Sequence, residues 1–283
     1  MMKDSRHNYE YDIDLLSETA PANAVRLVGR EKRVLEIGCG PGSITKILAQ
    51  EGLCQVTGLE LDPDAIKIVR PYCEQVIQAD LNSSDWPQLL EGVPLFDVVL
   101  AADVLEHLYD PLLALKRMAR FVDSKGYIVV SLPHVGHAAV ISCLVNGDFE
   151  YRDWGLLDRT HVRFFGLKNI ESLFDQAGLK ITEARYVVKS PEETEFASSW
   201  KKLSSPLQCE LMKSPHSEVY QVVVKAVPKI YTGNAVSLVP PKNKNKRVYT
   251  CAVTALKTRV RQSLSPEQKT LLKKYLHMLG IRL

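Results

Sequence analysis

The chain has 283 residues, of which 46% are hydrophobic and 24% are charged. This composition is typical of a globular protein with one large domain, or one domain and an appendage. No stretch of about 18 apolar residues occurs, which argues against a membrane span. The first residues also lack the apolar core of an export signal, and the six cysteines form no C-x-x-C pair. We therefore expect a cytoplasmic protein with reduced cysteines.

Charge is distributed unevenly along the chain, although the net charge is only +3. Residues 228–283 contain twelve lysines and arginines and one acid, Glu267. The rest of the chain is acidic, with 24 basic and 32 acidic residues. This asymmetry indicates that the two parts have different tasks.

The first thirty residues are predicted to form a helical and aromatic segment, and alternating strands and helices follow. Near-continuous apolar strands separated by helices indicate a parallel sheet covered on both faces. Two later strand-like stretches follow, and a polar, partly helical stretch at 190–215 lies between them. The predicted fold is a Rossmann-like, doubly wound α/β fold built on this mostly parallel sheet. The strand candidates are 34–37, 55–59, 75–78, 96–101, 126–132, 180–188 and 219–226.

Helix boundaries carry recognisable end signals. Asp62 and Asp110 each precede a proline, which places a capping side chain before a residue that favours the first helical position. Gly178 follows the last apolar helical run and is predicted to end that helix.

A glycine-rich turn follows the first predicted strand. Glycines occur at 38, 40 and 42, and Glu60 ends the second strand. Glycine lets the backbone approach a ligand closely, because it has no Cβ and tolerates positive φ. An acid at the end of the second strand can bind both hydroxyls of a ribose. We predict a site for a nucleoside-containing ligand; the alternative is a plain strand–turn–helix without a ligand.

The glycine spacing argues against a dinucleotide. The dinucleotide fingerprint G-x-G-x-x-G needs its third glycine where this chain has Ser43. Glu36, two residues before the first glycine, would repel a pyrophosphate but suits a cationic ligand such as an amino-acid ammonium. The pattern E-x-G-x-G-x-G resembles the first motif of class I S-adenosylmethionine-dependent methyltransferases. That resemblance implies a sheet of seven mostly parallel strands with an antiparallel last strand, closed by the final antiparallel pair.

The resemblance implies roles for residues around S-adenosyl-L-methionine. Glu36 would face the methionine end and Glu60 would bind the ribose. The turn made by Gly38, Gly40 and Gly42 would pass under the cofactor. An N-terminal segment such as Tyr9–Asp12 folds over the cofactor in related enzymes; simple packing or disorder is the alternative.

The adenine and the methionine end have further candidates. Gln78-Ala79-Asp80-Leu81 resembles the family's adenine motif, with Asp80 receiving the exocyclic amine and the Leu81 amide meeting a ring nitrogen. Asp80 could equally be an ordinary loop aspartate. Leu61 is either an apolar wall for adenine or part of the core. Residues 96–108 resemble the fourth-strand motif, whose end at Ala102 would run beside the methionine moiety.

Three histidines are candidates for a general base. The stretches 131–137 and 147–165 resemble bacterial methyltransferases associated with glycan assembly, a resemblance that covers roughly residues 9–180. Histidine titrates near neutral pH, which suits proton transfer from a hydroxyl. His137 and His161 lie in these stretches. His107 follows Glu106 in the fourth-strand motif and is either a base or a capping imidazole.

The same stretches supply candidates for substrate binding, because ligands bind at the carboxyl edge of such sheets. Arginine can clamp a carboxylate or phosphate with two hydrogen bonds. The alternative is a self-satisfied polar loop in which Asp158, Arg159, His161 and Arg163 bond one another. No set of carboxylates resembles a metal site, so we expect no metal. The substrate candidates are His134, Asp158, Arg159 and Arg163.

These observations predict methyl transfer to a small-molecule or glycan-linked acceptor, at a hydroxyl oxygen. Alternatives are a small metabolite such as a quinone precursor or lipid, and a non-catalytic cofactor-binding partner protein. Nucleic acid is disfavoured because the catalytic half is acidic and lacks an Asn-Pro-Pro-Tyr motif.

The methyltransferase domain is predicted to span residues 31–227. The region 228–283 is predicted to be a basic linker followed by two short amphipathic helices. Their basic residues suit peripheral contact with the inner face of the membrane or with an acidic protein partner. The alternative is packing of these helices on the domain or on each other.

Overall fold

The computed structural model describes residues 11–231, 233–238 and 265. The predicted amphipathic helices and most of the basic linker lie outside the described residues. The predicted domain boundaries at residues 30 and 227 stay predictions. The chain beyond residue 227 still contributes to the core, because the side chain of Leu238 is buried there.

Seven strands form one sheet in the order β3-β2-β1-β4-β5-β7-β6. Strands β1 to β5 pair in parallel, whereas β7 runs antiparallel to both β5 and β6. The predicted fold class and all seven predicted strands are therefore confirmed. The strands are β1 Arg33–Ile37, β2 Gln55–Glu60, β3 Gln75–Gln78, β4 Phe96–Ala102, β5 Val122–Pro133, β6 Leu179–Val188 and β7 Val219–Pro228.

Alternating residues along each central strand explain why both faces of the sheet are covered. In β4, Val98 and Leu100 point into one apolar cluster, whereas Val99 and Ala101 point into another. Successive side chains of a strand point to opposite faces, so each face buries every second residue. The helices on the two faces are α1 Ala20–Val28, α2 Ser43–Gln50, α3 Pro63–Val69, α4 Pro111–Met118, α5 Ala138–Val145, α6 Leu167–Gln176, α7 Ala197–Lys202 and α8 Ser205–Leu211.

The predicted helix end signals are confirmed. The Asp62 side chain accepts a hydrogen bond from the Asp64 amide, and Asp110 accepts one from the Leu113 amide. Gly178 adopts a φ of 76° just after α6, the left-handed conformation that ends many helices. None of the helices in the described part of the chain has the length and apolar character that a bilayer crossing requires.

Candidate active site

The glycine-rich turn lies between β1 and α2, and it is tightly packed on two sides. A Cβ added to Gly38 would lie 2.8 Å from Val104 Cγ2, and one added to Gly42 would lie 2.7 Å from Val69 Cγ2. A Cβ on Gly40 would meet nothing within 4 Å. All three glycines have positive φ, so the turn is a preformed backbone cradle with its open side at Gly40.

Glu60 connects the end of β2 to this turn. One carboxylate oxygen accepts from the Gly40 amide at 2.7 Å. The other accepts from the amides of Leu61 at 2.7 Å and Asp62 at 2.9 Å. A carboxylate offers about four lone-pair sites, so these bonds leave capacity for a ribose hydroxyl. Ribose binding by Glu60 stays a prediction.

Glu36 lies beneath the same turn. Its side chain is buried and accepts a hydrogen bond from Thr45 Oγ1 at 2.7 Å. Burial raises the pKa of Glu36 to about 7; the Thr45 hydrogen bond opposes this rise and the Glu60 carboxylate adds to it. A buried carboxyl that is partly ionised at neutral pH suits a cationic ligand group, because a nearby positive charge favours the carboxylate form. Its predicted role at the methionine end fits this position and stays a prediction.

The other cofactor candidates lie at the carboxyl edge of neighbouring strands. Leu61 is 58% exposed directly after β2. Asp80 is exposed after β3, and one of its oxygens accepts from the Asn82 amide. Leu81 and Ala102 are half-buried. The structure thus brings all four residues to one edge, while their contacts with adenine and methionine stay predictions.

Asp103, which was not among the predicted site residues, follows β4 beside this cradle. It has a φ of 53°, a left-handed conformation that is uncommon for residues other than glycine. Its carboxylate accepts from Ser131 Oγ at 2.7 Å and from Gln221 Nε2 at 3.0 and 3.1 Å. Burial raises the pKa of Asp103, against the lowering effect of these two hydrogen bonds. An acid two residues past the predicted strand end was the available sequence signal.

Tyr11 lies over the turn. Its amide donates to Ser43 Oγ at 3.0 Å. Partial burial raises the pKa of the Tyr11 phenol, and the nearby carboxylates of Asp103 and Glu36 raise it further. This arrangement agrees with a segment that covers the cofactor; Tyr9 and Glu10 lie outside the described residues.

A second group of polar side chains, the Glu106 cluster, consists of Glu106, His107 and His161. Glu106 is fully buried, and neither carboxylate oxygen has a hydrogen-bond partner among the described residues. Its Oε1 lies 4.0 Å from His161 Nε2. The rings of His107 and His161 meet edge to face, with centroids 4.7 Å apart.

The loop after α5 delivers His161 to this cluster. The amides of Val162 and Arg163 donate to the Glu106 carbonyl at 2.9 and 3.0 Å. Burial raises the pKa of Glu106 well above its usual range, and Asp103 adds to this rise. Burial lowers the pKa of His161 to about 4, with His107 contributing. Two of the three predicted base candidates therefore meet around a buried carboxyl group.

The structure corrects the prediction for His137. This side chain is fully buried, and its Nδ1 accepts from the Ala139 amide at 3.1 Å as the N-cap of α5. Its Nε2 donates to the Lys189 carbonyl at 2.9 Å. Both ring nitrogens are occupied by backbone groups, so His137 has a structural position and is not placed to take a proton from a substrate.

Two substrate candidates also point inward and are corrected. His134 is 4% exposed, and its ring packs against Gly136 and the ring of His216. Burial lowers the pKa of His134 to about 4. Asp158 is buried and accepts from the amide and hydroxyl of Thr160. Neither side chain is presented to an acceptor.

The two arginine candidates remain at the surface. Arg159 pairs with Asp153 at 2.6 Å, and Arg163 donates to the Tyr109 carbonyl. They do not bond Asp158 or His161, so the alternative of four mutually bonded side chains is not what the structure shows. Substrate contact by these arginines stays a prediction.

The sheet order, the glycine cradle and the acid at the end of β2 together define a class I S-adenosylmethionine-dependent methyltransferase domain. Residues 6–184 match the family model described as "Methyltransferase domain", and the chain belongs to that family. The predicted class and its cofactor, S-adenosylmethionine, are confirmed.

Solved structures agree with this fold. The protein superimposes on a magnesium protoporphyrin IX methyltransferase from Synechocystis PCC 6803 with bound SAH, at a TM-score of 0.50 and 16% identity over 75% of this chain and 82% of that chain. A SAM-dependent methyltransferase from Archaeoglobus fulgidus gives a TM-score of 0.50 and 19% identity, over 73% and 91% of the two chains.

Similar curated proteins include ubiquinone biosynthesis O-methyltransferases. The protein from Xylella fastidiosa strain 9a5c is 30% identical over 154 residues, which cover 50% of this chain and 59% of the relative. The protein from Azorhizobium caulinodans is 28% identical over 167 residues, covering 58% and 65%. The chain therefore spans less than two thirds of the length of these relatives.

Proposed function

We propose that this protein transfers a methyl group from S-adenosylmethionine to a hydroxyl oxygen of a small-molecule or glycan-linked acceptor. When bound, S-adenosylmethionine supplies an activated methyl group on a sulfonium. The backbone cradle fits this group because it is open at Gly40 and flanked by the carboxyls of Glu36 and Glu60.

The observation that carries the choice of a hydroxyl is the Glu106 cluster beside the cradle. A hydroxyl must lose its proton on methylation, and a positioned acid–base group accelerates such a step by about 10²–10⁴-fold. The cluster follows β4 directly, and Val104 in the same segment packs against Gly38 of the cradle. His107, the half-buried member, lies at the accessible side.

Exposed aromatic side chains on the loop that delivers His161 favour a ring-shaped acceptor. Tyr151 and Trp154 are exposed on this loop. Tyr109 is 68% exposed, and its carbonyl accepts a hydrogen bond from Arg163 of the same loop. Tyrosine and tryptophan present flat apolar faces with a polar edge, which suits stacking on a ring that also carries hydroxyls. A sugar has this character, which agrees with the resemblance to methyltransferases associated with glycan assembly.

A quinone precursor or lipid is the second candidate acceptor. Its support is that the similar curated proteins are named ubiquinone biosynthesis O-methyltransferases. An aromatic ring with a hydroxyl would use the same exposed aromatic side chains and the same proton-accepting cluster. The third candidate is a partner protein that binds the cofactor without turnover.

Product analysis with full-length protein separates these candidates. The protein is incubated with S-adenosylmethionine and, separately, nucleotide-linked glycans, lipid-linked glycans and polyprenylated catechols. The readout is S-adenosylhomocysteine release with NMR assignment of the methylated atom. We expect one acceptor class to be methylated at oxygen. Methylation at nitrogen or sulfur would contradict the proposal, and tight S-adenosylhomocysteine binding without turnover on any class would favour the non-catalytic alternative.

We also propose that the basic region after Leu238 brings the enzyme to an anionic membrane surface. Support comes from its sequence alone, in which basic residues flank the apolar positions of two helical patterns. Each basic side chain near such a surface contributes about 1 kcal/mol. Glycans attached to membrane-bound carriers, or quinone precursors held in the membrane, would then lie close to the enzyme.

A further inference from the structure

We infer that Glu106, His107 and His161 form a binding site for a divalent transition-metal ion. One potential ligand atom from each residue lies within 4.8 Å of those from the other two. The sequence suggested no metal because it offered no set of carboxylates. The structure instead assembles two imidazoles and one carboxylate from separate parts of the chain.

The unpartnered atoms of the cluster support this inference. Both oxygens of the fully buried Glu106 lack a hydrogen-bond partner among the described residues. Buried polar atoms are normally satisfied, and buried charges are paired or bind metals. A cation between these side chains would supply the partner that the carboxylate lacks.

The distance within the cluster is compatible with such an ion. Glu106 Oε1 and His161 Nε2 are 4.0 Å apart, which is too long for a direct hydrogen bond. Metal bonds to histidine nitrogen and carboxylate oxygen are each about 2.0–2.2 Å long. Two such bonds to one ion span up to about this separation, so a small inward movement completes the coordination.

A neighbouring carboxylate orients His107. Thr160 Oγ1 donates to Asp158 Oδ1 at 2.7 Å and lies 3.1 Å from His107 Nδ1. The Thr160 carbonyl lies 3.3 Å from the same nitrogen. A proton on Nδ1 satisfies both oxygens and leaves the lone pair on Nε2. Metal-binding histidines commonly have their other nitrogen fixed in this way by an outer group. Asp158, which is not presented to an acceptor, would then position a metal ligand.

The donor set indicates which ions the site would take. Two imidazoles and one carboxylate are typical ligands of Zn²⁺ and of non-haem Fe²⁺. Mg²⁺ prefers oxygen ligands and retains several waters. Three protein ligands also leave a coordination position open, as in catalytic zinc sites. An acceptor hydroxyl bound to the ion in that position would have a lowered pKa. This role of the ion in activating an acceptor rests on the proposed function, whereas binding of the ion does not.

Cobalt binding tests the site without any acceptor. Full-length protein is stripped with a chelator and titrated with Co²⁺, whose visible ligand-field absorption reports histidine and carboxylate coordination. We expect about one ion per chain, displaced by Zn²⁺ but not by excess Mg²⁺. Glu106→Gln and His161→Asn should each weaken Co²⁺ binding by about 100-fold or more, since even outer-shell changes cost 10–100-fold. His216→Asn, which alters a half-buried imidazole outside the cluster, should retain binding.

S-adenosylhomocysteine binding, measured on the same variants, establishes that each is folded. Absence of stoichiometric Co²⁺ binding in the wild type would overturn the inference, as would equal Co²⁺ affinity in wild type, Glu106→Gln and His161→Asn. Methyl transfer that persists after removal of the ion would overturn its role in activation and leave the proposed function intact. Failure of every acceptor in the activity assay would leave the binding result standing.

Discussion

Glu36 is a buried carboxyl whose charge should depend on whether the cofactor is present. With its pKa raised to about 7, it is partly protonated in the free protein at neutral pH. A cofactor ammonium would favour the carboxylate and release the proton. We expect the Kd for S-adenosylhomocysteine to rise by up to about tenfold per pH unit below pH 7, because binding must then displace a proton. Calorimetry in buffers of different ionisation enthalpy measures that proton.

Glu36→Gln is the matched variant for this prediction, because it keeps the shape of the side chain and cannot ionise. It should bind with little pH dependence; the same proton release in both proteins would exclude Glu36 as its source. The unfolding free energy should respond in the opposite sense. A folded pKa above the unfolded value means that the contribution of Glu36 to stability falls as pH rises from about 4.5 to 7.

Glu60 supports both the predicted ribose site and the turn itself. Glu60→Ala removes a charged acceptor, and hydrogen bonds to charged groups contribute about 1.5–3 kcal/mol. We expect the Kd for S-adenosylhomocysteine to rise about 10- to 100-fold in calorimetric titrations. Glu74→Ala, at an exposed position before β3, is the control and should leave the Kd unchanged. An unchanged Kd in Glu60→Ala would remove the ribose assignment.

Among individual residues, the sequence identified those whose role depends on neighbours in the chain. The glycines, Glu36 and Glu60 belong to one strand–turn–helix unit and the strand after it, so a short motif identified them. Asp103 was missed because its position depends on Gln221, 118 residues away. His137 was misassigned because a histidine between a strand and a helix can cap that helix as readily as face a ligand.

The glycine turn between β1 and α2 allows a test of its steric fit against helix α3. Gly42→Ala would place its Cβ 2.7 Å from Val69, whereas Gly40→Ala points into open space. Both variants carry left-handed strain of about 1–2 kcal/mol, and overpacking adds about 1–3 kcal/mol to Gly42→Ala. Urea unfolding should rank Gly42→Ala as the less stable. Gly42→Ala combined with Val69→Ala should recover part of the loss; equal stability of the two single variants would contradict this packing.

Helix α5 begins at the His137 cap. His137→Ala removes the acceptor for the Ala139 amide, and loss of a cap typically lowers the unfolding free energy by about 0.5–2 kcal/mol. We expect a lower thermal midpoint with unchanged S-adenosylhomocysteine affinity. His137→Asn, with a side chain that also caps helices, should recover part of the stability. A large loss of turnover at unchanged stability would instead restore His137 as a catalytic candidate.

Apolar runs and capping residues were sufficient to predict all seven strands and the helix ends at Asp62, Asp110 and Gly178. The position of the loop after α5 could not be predicted in the same way. The Leu156 amide and the Tyr220 hydroxyl both donate to Glu195, and they are 39 and 25 residues from it along the chain, respectively. Such a connection depends on the finished sheet and has no local pattern.

The separation of charge between the two parts of the chain leads to a prediction for the whole molecule. Full-length protein should co-sediment with anionic liposomes at low salt, and a variant truncated after Leu238 should not. Truncation at this point keeps the core intact, because Leu238 is buried and its amide donates to Glu171. Binding should weaken as salt rises, since exposed charges are screened. Equal, negligible binding of both proteins would exclude the membrane proposal and favour packing or a protein partner.

The sheet order also has a consequence for synthesis of the protein. Strand β7 is the last of the seven to leave the ribosome, yet it lies between β5 and β6. Two consecutive residues of β7 hold different parts of the site. Tyr220 donates to Glu195, which also accepts from Leu156 in the loop after α5, and Gln221 donates to the strained Asp103 after β4. A register slip of one residue would exchange their faces. During synthesis, all residues of the glycine cradle are therefore available before β7 is. The site is completed only when β7 inserts between β5 and β6 in the correct register.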